Sequence, residues 1–581
     1  MDIDIAGAMS AFSGYVWSTP TAILLTGAGL LFTLMIFGVQ FKALTHGLAV
    51  IRGKYDDPSH KGNISHFQAL CAALSGTIGL GNISGVAVAI ASGGPGAVFW
   101  MWVVGFLGMA TKFMTCTLSV MYRHVDSTGT YRGGPMYYIE LGLAQTGSKL
   151  KRGAAKGLAV VFAILGVCGC IGAGTMFQSN QAAKTFVNLA KKVAPGGVSE
   201  GSQFLIQMIV GAVLFAGVGL VIIGGIKRIG RVAGRLVPAM CVIYSMGAMW
   251  IIIHNISAVP GVFASIFESA FSPAAGTGAF YGVAVKTAII QGVRRACFSN
   301  EAGMGTAPIA HATAKTDEPV REGIVAALGP FLDTLVICTM TAMVILTTNT
   351  HRRHAVGSIV GVSEIREIDS QDTQQVALGI PLTLTDVSAA VLGESLFVHK
   401  APAVEGGIGD RLHLTVSAVD GETITATITY HATSAGREAA DADAILLTTG
   451  TDVYLFRDGV ELTAYAFDSV LAGFGTYFIP LAALLFAFST MITWGFYGET
   501  CTEYLFGERA VLPFKIAFVL MILVGTASMK LQPVLDWADG MLGLMMVPNM
   551  IGTLFLAPRV VRASREYFAK LKAGEFKTYR S

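Results

Sequence analysis

The segment Gly76-Thr77-Ile78-Gly79-Leu80-Gly81-Asn82 interrupts an apolar stretch that is otherwise long enough to form a membrane helix. A second interruption, Phe298-Ser299-Asn300-Glu301-Ala302-Gly303-Met304-Gly305, lies in a later apolar stretch. In lipid, an unpaired backbone N–H or C=O group is costly, so irregular backbone persists in a membrane helix only where protein encloses it or a ligand contacts it. The two breaks are therefore the first place to look for a binding site.

The composition around the breaks is that of a polytopic membrane protein. The chain has 581 residues, of which 53% are hydrophobic and 13% are charged, which excludes an ordinary soluble globular protein. We expect an all-α membrane fold with eleven spans. Runs long enough to cross about 30 Å of hydrocarbon begin near Thr21, Phe67, Gly96, Gly157, Phe204, Val232, Phe280, Gly323, Phe474, Val511 and Leu535.

Basic residues predict the orientation of these spans, because cytoplasmic loops are enriched in Lys and Arg. With the N-terminus outside, the inner loops and the tail carry most of the basic residues, including the cluster from Lys227 to Arg235. The outer loops then carry only Lys191, Lys192 and Lys530, apart from one long insertion. We therefore predict an outer N-terminus and a cytoplasmic C-terminus. The acidic start of the chain lacks the positive region of a cleavable signal peptide, so we expect the first apolar stretch to remain as a span.

The spans and their orientation predict four segments: a membrane domain over 1–349, a β-rich extracytoplasmic insertion over 350–466, a second membrane segment over 467–558 and a basic cytoplasmic tail over 559–581. The insertion is distinguished by alternating apolar and polar residues. Leu412–Ala418 and Thr423–Ile428 flank Asp420-Gly421, and Val453–Phe456 and Val460–Ala464 flank Asp458-Gly459, which predicts two β-hairpins. The insertion is interpreted either as a partner-binding or access-regulating cap or, as we favour, as a tolerated loop insertion without a role in transport.

The eight cysteines fall in or at the ends of apolar spans, and none lies in the insertion. A disulfide framework is therefore not expected, and we interpret the thiols as packing residues.

The breaks lie in the second and seventh predicted spans, five spans apart. Because this offset is odd, the two broken helices cross the membrane in opposite directions, which indicates an inverted repeat. Secondary transporters commonly bind substrate and coupling ion at such paired broken helices near the midplane. Free N–H groups at a half-helix start suit a carboxylate, and freed carbonyls suit a hard cation. Glycines here also have a competing role in helix packing.

Four motifs carry a family resemblance. They are the stretch from Ser75 to Ile90, the stretch Gly93-Gly-Pro-Gly-Ala-Val-Phe-Trp-Met-Trp102, Arg132-Gly-Gly-Pro-Met-Tyr-Tyr138 and the second break itself. Together they resemble the alanine or glycine:cation symporter family, and the match covers essentially all spans except the insertion. The resemblance implies a bacterial inner-membrane symporter that imports small neutral amino acids with sodium. It also implies a five-plus-five inverted-repeat core behind one leading helix. No nucleophile–base pair or metal cluster occurs in the spans, so we expect neither an enzyme nor a cofactor.

The resemblance also implies which residues meet the substrate. Asn82 and the main chain around Gly81 and Gly85 would bind it, although a buried Asn can instead close the helix break. Gln178 would face the substrate, with an interhelical hydrogen bond as the alternative. Further substrate-binding positions are Cys297, Phe298, Thr490 and Trp494. Trp494 would limit side-chain size and Thr490 would be a polar contact one helical turn away, with core packing as the alternative for the Trp.

A sodium site is implied where the second span meets the ninth. Its oxygens would come from the carbonyls near Ser75 and Ile78 and from the hydroxyls of Ser489 and Thr490. The alternative is that these hydroxyls bond carbonyls one turn back. Glu301 is an ionisable residue inside a break. We interpret it as a structural or gating residue that pairs with Arg294 or Arg295, or that caps the half-helix after it.

Two rival functions stay open at this point. One is proton coupling through Glu301 or a histidine such as His311. The other is a channel or a membrane sensor derived from a transporter. The sequence leaves open which amino acid and which enantiomer are carried, the stoichiometry, the oligomeric state and any protein partner, and it offers no nucleic-acid-binding face.

Overall fold

The computed structural model describes residues 5–57, 59–145, 149–194, 198–271, 281–350, 459–528 and 532–579, and between 350 and 459 it describes eight β-strands. It separates into two compact units, one made of Met1–Thr348 with Gly459–Ser581 and the other of Asn349–Asp458. In their described residues, the first unit is largely helical and the second is made of strands.

The first part of the helical unit leads to the first break. It contains α1 (Ile5–Val16), α2 (Thr19–Met35), α3 (Val39–Lys42), α4 (Leu48–Ile51), α5 (His66–Thr77) and α6 (Val86–Gly93). A π-helical segment, Ala43–Gly47, joins α3 to α4, and another, Gly81–Gly85, leads into α6. α5 begins at a capping box, in which Ser65 Oγ accepts a hydrogen bond from the Gln68 N–H at 3.3 Å and Gln68 Oε1 accepts one from the Ser65 N–H at 3.1 Å.

The central part of the unit is organised around the long helix after the first break. It contains α7 (Gly96–Met121), strands β1 (His124–Val125) and β2 (Tyr131–Arg132), and helices α8 (Pro135–Ala144), α9 (Lys149–Ile171), α10 (Gln178–Val193), α11 (Glu200–Ile223), α12 (Gly225–His254) and α13 (Val259–Phe271). The π-helical segment Gly172–Phe177 joins α9 to α10. α7 is largely buried because α2, α14 and α16 all pack against it.

The last part of the unit contains the second break and the C-terminal helices. Its helices are α14 (Tyr281–Asn300), α15 (Ala307–His311), α16 (Pro319–Pro330), α17 (Thr339–Thr347), α18 (Gly459–Asp468), α19 (Phe474–Phe506), α20 (Val511–Ala527) and α21 (Gln532–Ala573). The π-helical segment Phe331–Cys338 joins α16 to α17.

The helical unit is that of a polytopic membrane protein. Within the described residues, nine helices are long and apolar enough to cross a membrane, and the bent pair α5 and α6 makes ten if it forms one span. The other predicted span, which starts near Phe280, corresponds to α14 and α15 and is interrupted after Asn300. The total of eleven spans stays a prediction.

The second unit contains eight strands in its described residues. They are β3 (Ala355–Ile359), β4 (Ser363–Arg366), β5 (Gln375–Leu384), β6 (Ser395–His399), β7 (Arg411–Asp420), β8 (Thr423–Tyr430), β9 (Ala444–Leu447) and β10 (Asp452–Leu455). Six form a closed barrel in the order β10-β3-β5-β8-β7-β6, and β4 pairs with β9. β7 and β8, which contain the first predicted hairpin, pair antiparallel, with Leu414 opposite Ile428. Gly421 in the predicted turn lies outside the described residues, and the extracytoplasmic location of this unit stays a prediction.

The second predicted hairpin is wrong in its second strand. Val460–Ala464 lies in α18, which belongs to the helical unit. Glu461 in the first turn favours a helix start through the helix dipole, and the apolar residues bury one helical face against α19. Tertiary packing therefore overrides the local alternation.

Two segment boundaries change accordingly. The strand-rich unit ends at Asp458 rather than at 466. α21 continues to Ala573, so the predicted boundary at 558 lies inside a helix, and the basic cytoplasmic tail stays a prediction.

Candidate functional site

The first break separates α5 from α6 and bends the span by 55°. Ile78 is extended, with φ −75° and ψ 96°. The freed Gly79 N–H donates to Asn82 Oδ1 at 2.8 Å, and the Asn82 N–H donates to the Gly79 carbonyl at 3.1 Å. Asn82 thus bonds backbone groups that the break frees, as in the alternative to substrate binding, and its contact with substrate stays a prediction.

The second break begins where α14 ends at Asn300. Glu301, Gly303 and Gly305 have φ angles of 53°, 96° and 90°, and a left-handed conformation costs a residue other than glycine about 1–3 kcal/mol. The Asn300 side chain stabilises the turn, because its Oδ1 accepts from the Ala302 N–H at 2.8 Å. The predicted interruption is therefore present and is held by specific bonds.

The two breaks are in contact. Asn82 Nδ2 donates to Ser299 Oγ at 3.0 Å, and a Cβ atom at Gly81 would lie 3.8 Å from Ser299 Cα. The start of α5 adjoins the end of α15 through a parallel bridge between Ile64 and Ala314. Since one broken span begins where the other ends, the two run in opposite directions. The wider five-plus-five repeat stays a prediction.

Asp333, in the π-helical segment between α16 and α17, ties the two breaks together. Its Oδ1 accepts from Asn82 Nδ2 at 2.6 Å, and its Oδ2 accepts from Ser299 Oγ at 2.5 Å and from Thr334 Oγ1 at 2.9 Å. Asp333 is 0% exposed. A buried carboxylate needs such donors, and hydrogen bonds to a charged group are stronger than neutral ones. Asp333 is therefore the central acceptor of the junction.

Lys112 on α7 is a further ionisable residue close to the junction. It is buried, and it interacts electrostatically with both Glu301 and Asp333. Two buried carboxyl groups and one buried amino group thus lie within electrostatic range of one another. Ionisable residues within spans mark functional regions because they are costly in lipid.

The residues predicted for a sodium site lie together where α5 contacts α19. Ser75 Oγ donates to the Ser489 carbonyl at 2.6 Å, and Ser489 Oγ lies 2.9 Å from the Phe486 carbonyl and 3.5 Å from the Ser75 carbonyl. Ser75, Ile78, Ser489 and Thr490 are all buried. Ser489 thus uses the one-turn-back bond that was the alternative to cation binding.

Two hydroxyl groups face the first break without a hydrogen-bond partner in the described parts of the chain, those of Thr490 and Tyr497. A Cβ atom at Gly79 would lie 2.7 Å from Thr490 Oγ1, and one at Gly76 would lie 3.2 Å from Tyr497 Oη. Glycine is needed at Gly79 so that the backbone can approach this hydroxyl. Buried polar groups normally have a partner, so these two oxygens are available to a ligand.

Trp494 is fixed on both sides. Its Nε1 donates to the Gly76 carbonyl at 3.2 Å, and its ring lies 5.8 Å from the Tyr497 ring. A Cβ atom at Gly174 would lie 2.7 Å from Trp494 Cβ. The indole therefore has little freedom to move, as a rigid pocket wall requires.

The remaining predicted substrate residues are less directly connected to the junction. Gln178 Nε2 donates to the Ala173 carbonyl at 3.3 Å, in the π-helical segment directly before α10, and its Oε1 has no partner among the described residues. Cys297 is buried one turn before Glu301, and its carbonyl accepts from the Glu301 N–H at 2.9 Å. Phe298 packs against Trp17 in a tilted arrangement, with ring centroids 5.0 Å apart.

Gly85 lies at the end of the π-helical segment. A Cβ atom there would have its nearest neighbour, Arg295 Cδ, at 3.7 Å. Space alone would therefore accept a larger residue at Gly85.

Of the two arginines predicted as alternatives for pairing with Glu301, Arg294 pairs with Asp539 at 2.9 Å, and pairing with Arg295 stays a prediction. Glu301 Oε2 instead accepts from Thr306 Oγ1 at 2.5 Å, directly before α15. This contact joins two side chains and leaves the backbone N–H groups at the start of α15 without a side-chain cap, so the capping and gating roles of Glu301 stay predictions.

The signature residue Arg132 is the centre of an ion network beside the spans. It lies 2.9 Å from Asp126, 2.8 Å from Glu499 and 2.7 Å from Glu503, and Lys515 pairs with Glu499 at 3.0 Å. Burial alone would lower the pKa of Arg132, but the two glutamates raise it above its usual value. The network joins the β1–β2 connection to α19 and α20.

The sequence reasoning missed Asp333 and Lys112. Each is an ionisable residue inside a strongly apolar span, and this signal alone was enough to select them. Ser299 and Asn300 lie within the second break, and no role is predicted for either from the sequence.

Comparison with known proteins agrees with this geometry. The model of the Sodium:alanine symporter family matches residues 3–391 and 439–581. The chain is 34% identical to Sodium/alanine symporter AgcS of Methanococcus maripaludis, over 99% of this chain and 100% of that protein.

Two Bacillus subtilis proteins are also similar. The "Probable sodium/glutamine symporter GlnT" is 31% identical over 96% of this chain and 90% of its own length. Amino-acid carrier protein AlsT is 29% identical over 97% of this chain and 92% of its own length. With its two broken spans, its apolar helices and these matches, the chain is a multi-pass integral membrane transporter that belongs to the sodium:alanine symporter family, which is not an enzyme class.

Proposed function

We propose that this protein imports small neutral amino acids, alanine and glycine, together with sodium by alternating access. The observation that carries the proposal is the junction at which the two oppositely directed breaks meet through Asn82, Ser299 and Asp333. Paired broken helices are where secondary transporters bind their cargo.

The proposed sodium site uses oxygens at the contact of α5 and α19. Thr490 Oγ1 has no partner among the described residues and faces the break at Gly79. Carbonyls near Ser75 and Ile78 and the Ser489 hydroxyl would complete the coordination. Neutral oxygen ligands suit a hard monovalent cation that must be released again, and they favour sodium over a proton as the coupling ion.

The proposed substrate site lies beside the junction. N–H groups at the break would hold the carboxylate of the amino acid, and Gly81, Gly85, Cys297 and Phe298 would line the backbone side. Gln178 would contribute its unpartnered Oε1.

Small side chains are favoured because Trp494 is held by Gly76 and packs on Gly174, so it does not yield easily to a larger substrate. This argument selects alanine and glycine over glutamine, which one relative's name mentions.

Sodium entry supplies enough free energy for accumulation. One ion crossing a 100 mV potential contributes about 2.3 kcal/mol, and a tenfold concentration ratio adds about 1.4 kcal/mol. Together they support an amino acid gradient of about 500-fold. In the proposed cycle, sodium orders the first break and completes the amino acid site, and the broken spans then rock against the other helices.

We further propose the bacterial inner membrane as the location, with the N-terminus outside and the C-terminus inside. The support is the bias of Lys and Arg toward the loops on one side.

The experiment is uptake of radiolabelled alanine, glycine and glutamine into proteoliposomes, with sodium or choline outside at fixed pH. We expect concentrative uptake of alanine and glycine only with sodium. Thr490→Ala should raise the sodium concentration needed for half-maximal uptake. The matched control is Thr526→Ala on α20, whose hydroxyl already bonds the Leu523 carbonyl at 3.0 Å. Equal uptake in choline would contradict sodium coupling.

The strand-rich unit has a separate test. We propose that residues 349–458, of which the family model omits only 392–438, have no role in transport, so a chain in which a short Gly/Ser linker replaces them should keep sodium-dependent uptake. A folded, membrane-inserted variant without uptake would instead support a role in access or partner binding.

A further inference from the structure

A second group of buried titratable side chains lies away from the breaks, where α5, α15 and α16 meet. The Glu322 carboxylate contacts two imidazole rings: its Oε1 lies 2.5 Å from His311 Nδ1, and its Oε2 contacts His66 Nδ1. His66 is 1% exposed, and His311 and Glu322 are 0% exposed. The proposed transport cycle assigns no role to these three groups.

The cluster joins the two broken spans. His66 is the first residue of α5, and His311 is the last residue of α15. Glu322 lies in the first turn of α16. One carboxylate therefore links the beginning of one broken helix to the end of the other, at the face of the helical unit where both meet.

Backbone hydrogen bonds close the same face. The Asn63 N–H donates to the Thr313 carbonyl at 2.8 Å, and the Lys315 N–H donates to the Ile64 carbonyl at 2.8 Å. Arg123 then donates to carbonyls on both sides of this seam, those of Lys61, Ala312, Ala314 and Thr316. If this face opens by movement of the start of α5 away from the end of α15, a step in addition to the rocking of the broken spans against the other helices, the seam and the cluster must separate.

The cluster can take up a proton without rearranging. When Glu322 is ionised, both rings donate an Nδ1–H to it. When the carboxyl is protonated, one oxygen donates to one ring and the other accepts from the second ring. Both forms keep the same two contacts. The Nε2 atoms of both rings have no hydrogen-bond partner among the described residues, so no outer bond fixes either tautomer.

The surrounding charges do not neutralise Glu322 directly. Asp56, Arg123, Arg321 and Cys116 are the charged or titratable groups that interact with the cluster from the neighbouring segments. Arg123 donates its hydrogen bonds to backbone carbonyls, and Arg321 donates to the Tyr55 carbonyl and to the Tyr567 hydroxyl. Burial favours the uncharged form of a carboxyl group, whereas a hydrated carboxylate is ionised at neutral pH.

We propose that His66, Glu322 and His311 form a proton-binding site that latches this face shut. The closed form holds one proton on the cluster, and opening hydrates Glu322 and releases the proton to the solution on that side. The inference rests on the proposed alternating access. A lower pH on this side therefore slows opening of the face, and the transport rate falls with it.

The first test is the pH dependence of sodium-driven alanine exchange in proteoliposomes, with equal pH on both sides between pH 6 and 8. We expect the wild-type rate to fall as pH falls, by at most about tenfold per pH unit for a single proton. Glu322→Gln imitates the protonated carboxyl, so its rate should be low and independent of pH. His254→Gln, at the exposed end of α12, is the control and should keep the wild-type profile.

The second test does not depend on the substrate. The buried Thr313 is replaced by Cys, and its labelling by a maleimide is measured by peptide mass spectrometry, relative to the exposed Ser59→Cys. In the wild-type background, this ratio should fall as pH falls. In the Glu322→Gln background, the ratio should stay low throughout.

The outcomes separate the latch from the transport proposal. A labelling ratio that is independent of pH in the wild type, or a wild-type pH profile in Glu322→Gln, overturns the latch even if sodium-driven alanine exchange is present. A pH-dependent ratio without alanine exchange keeps the latch and rejects the transport assignment. If Glu322→Gln does not give a monodisperse protein, His311→Gln replaces it. Its exchange rate at pH 6 should exceed the wild-type rate, and an unchanged profile overturns the proposal.

Discussion

Replacing Asp333 with Asn tests whether the junction between the breaks is needed for binding. In the wild-type chain, the carboxylate accepts hydrogen bonds from Asn82, Ser299 and Thr334 at 2.6, 2.5 and 2.9 Å. The amide keeps the shape of the side chain but turns one acceptor oxygen into a donor nitrogen. At least one of the three bonds is therefore lost.

The size of the effect follows from the charge of the acceptor. A hydrogen bond to a charged group contributes about 1.5–3 kcal/mol, which corresponds to about 10- to 150-fold in an equilibrium constant. If alanine binds only the tied junction, the apparent affinity falls by up to this factor, because binding is reduced by the fraction of molecules in the competent state.

The assay is equilibrium binding of radiolabelled alanine to purified protein at saturating sodium. Size-exclusion chromatography checks that each variant is folded. The control is Asp539→Asn, since Asp539 pairs with Arg294 at 2.9 Å rather than with the junction. Wild-type affinity in Asp333→Asn, or an equal loss in both folded variants, would refute the reasoning.

Two further substitutions test the pocket wall and the ion network. In Gly174→Ala, the new Cβ atom lies 2.7 Å from Trp494 Cβ; we expect an overpacking cost of about 1–3 kcal/mol and reduced alanine uptake, whereas Gly219→Ala, whose nearest atom is 3.6 Å away, should transport normally. Arg132→Met leaves its buried carboxylate partners uncompensated and should cost about 3–5 kcal/mol of stability, measured as a lower melting temperature. Lys192→Met, with a side chain 51% exposed, should cost less than about 1 kcal/mol. If Gly219→Ala reduced alanine uptake as much as Gly174→Ala, the role of the pocket wall would be contradicted. If Lys192→Met lowered the melting temperature as much as Arg132→Met, the role of the ion network would be contradicted.

The breaks were predictable because their signal is local. Glycine and polar residues inside apolar runs oppose a continuous membrane helix whatever surrounds them. Both interruptions lie at the predicted positions, and the positive φ angles of Gly303 and Gly305 agree with the choice of glycine there. The family was predictable for the same reason, since its motifs are continuous stretches of sequence.

Contacts between distant segments were not predictable in the same way. Nothing near Asp333 in the sequence indicates that it meets Asn82, which is 251 positions away. The strand predicted at Val460–Ala464 failed for a related reason, because the burial of α18 against α19 decides its conformation. Contacts between distant segments depend on the fold. The alternation of apolar and polar residues over five positions contains no information about such contacts.

Hydrogen-bonded and unpartnered polar groups lie at different places in this molecule. The first are at a face that must open during transport, and the second are at the break where a ligand would bind. At the face where α5 begins and α15 ends, Arg123 and the Asn63–Thr313 bond pair the backbone, so opening there requires hydrogen bonds to be exchanged for water. At the break, Thr490 Oγ1, Tyr497 Oη and Glu301 Oε1 have no partner among the described residues. A ligand that satisfies these atoms lowers the free energy of the molecule where it binds. Binding at the break can drive opening at the distant face only if the ligand has a different affinity for the closed and open states, and the broken spans are the elements common to both places.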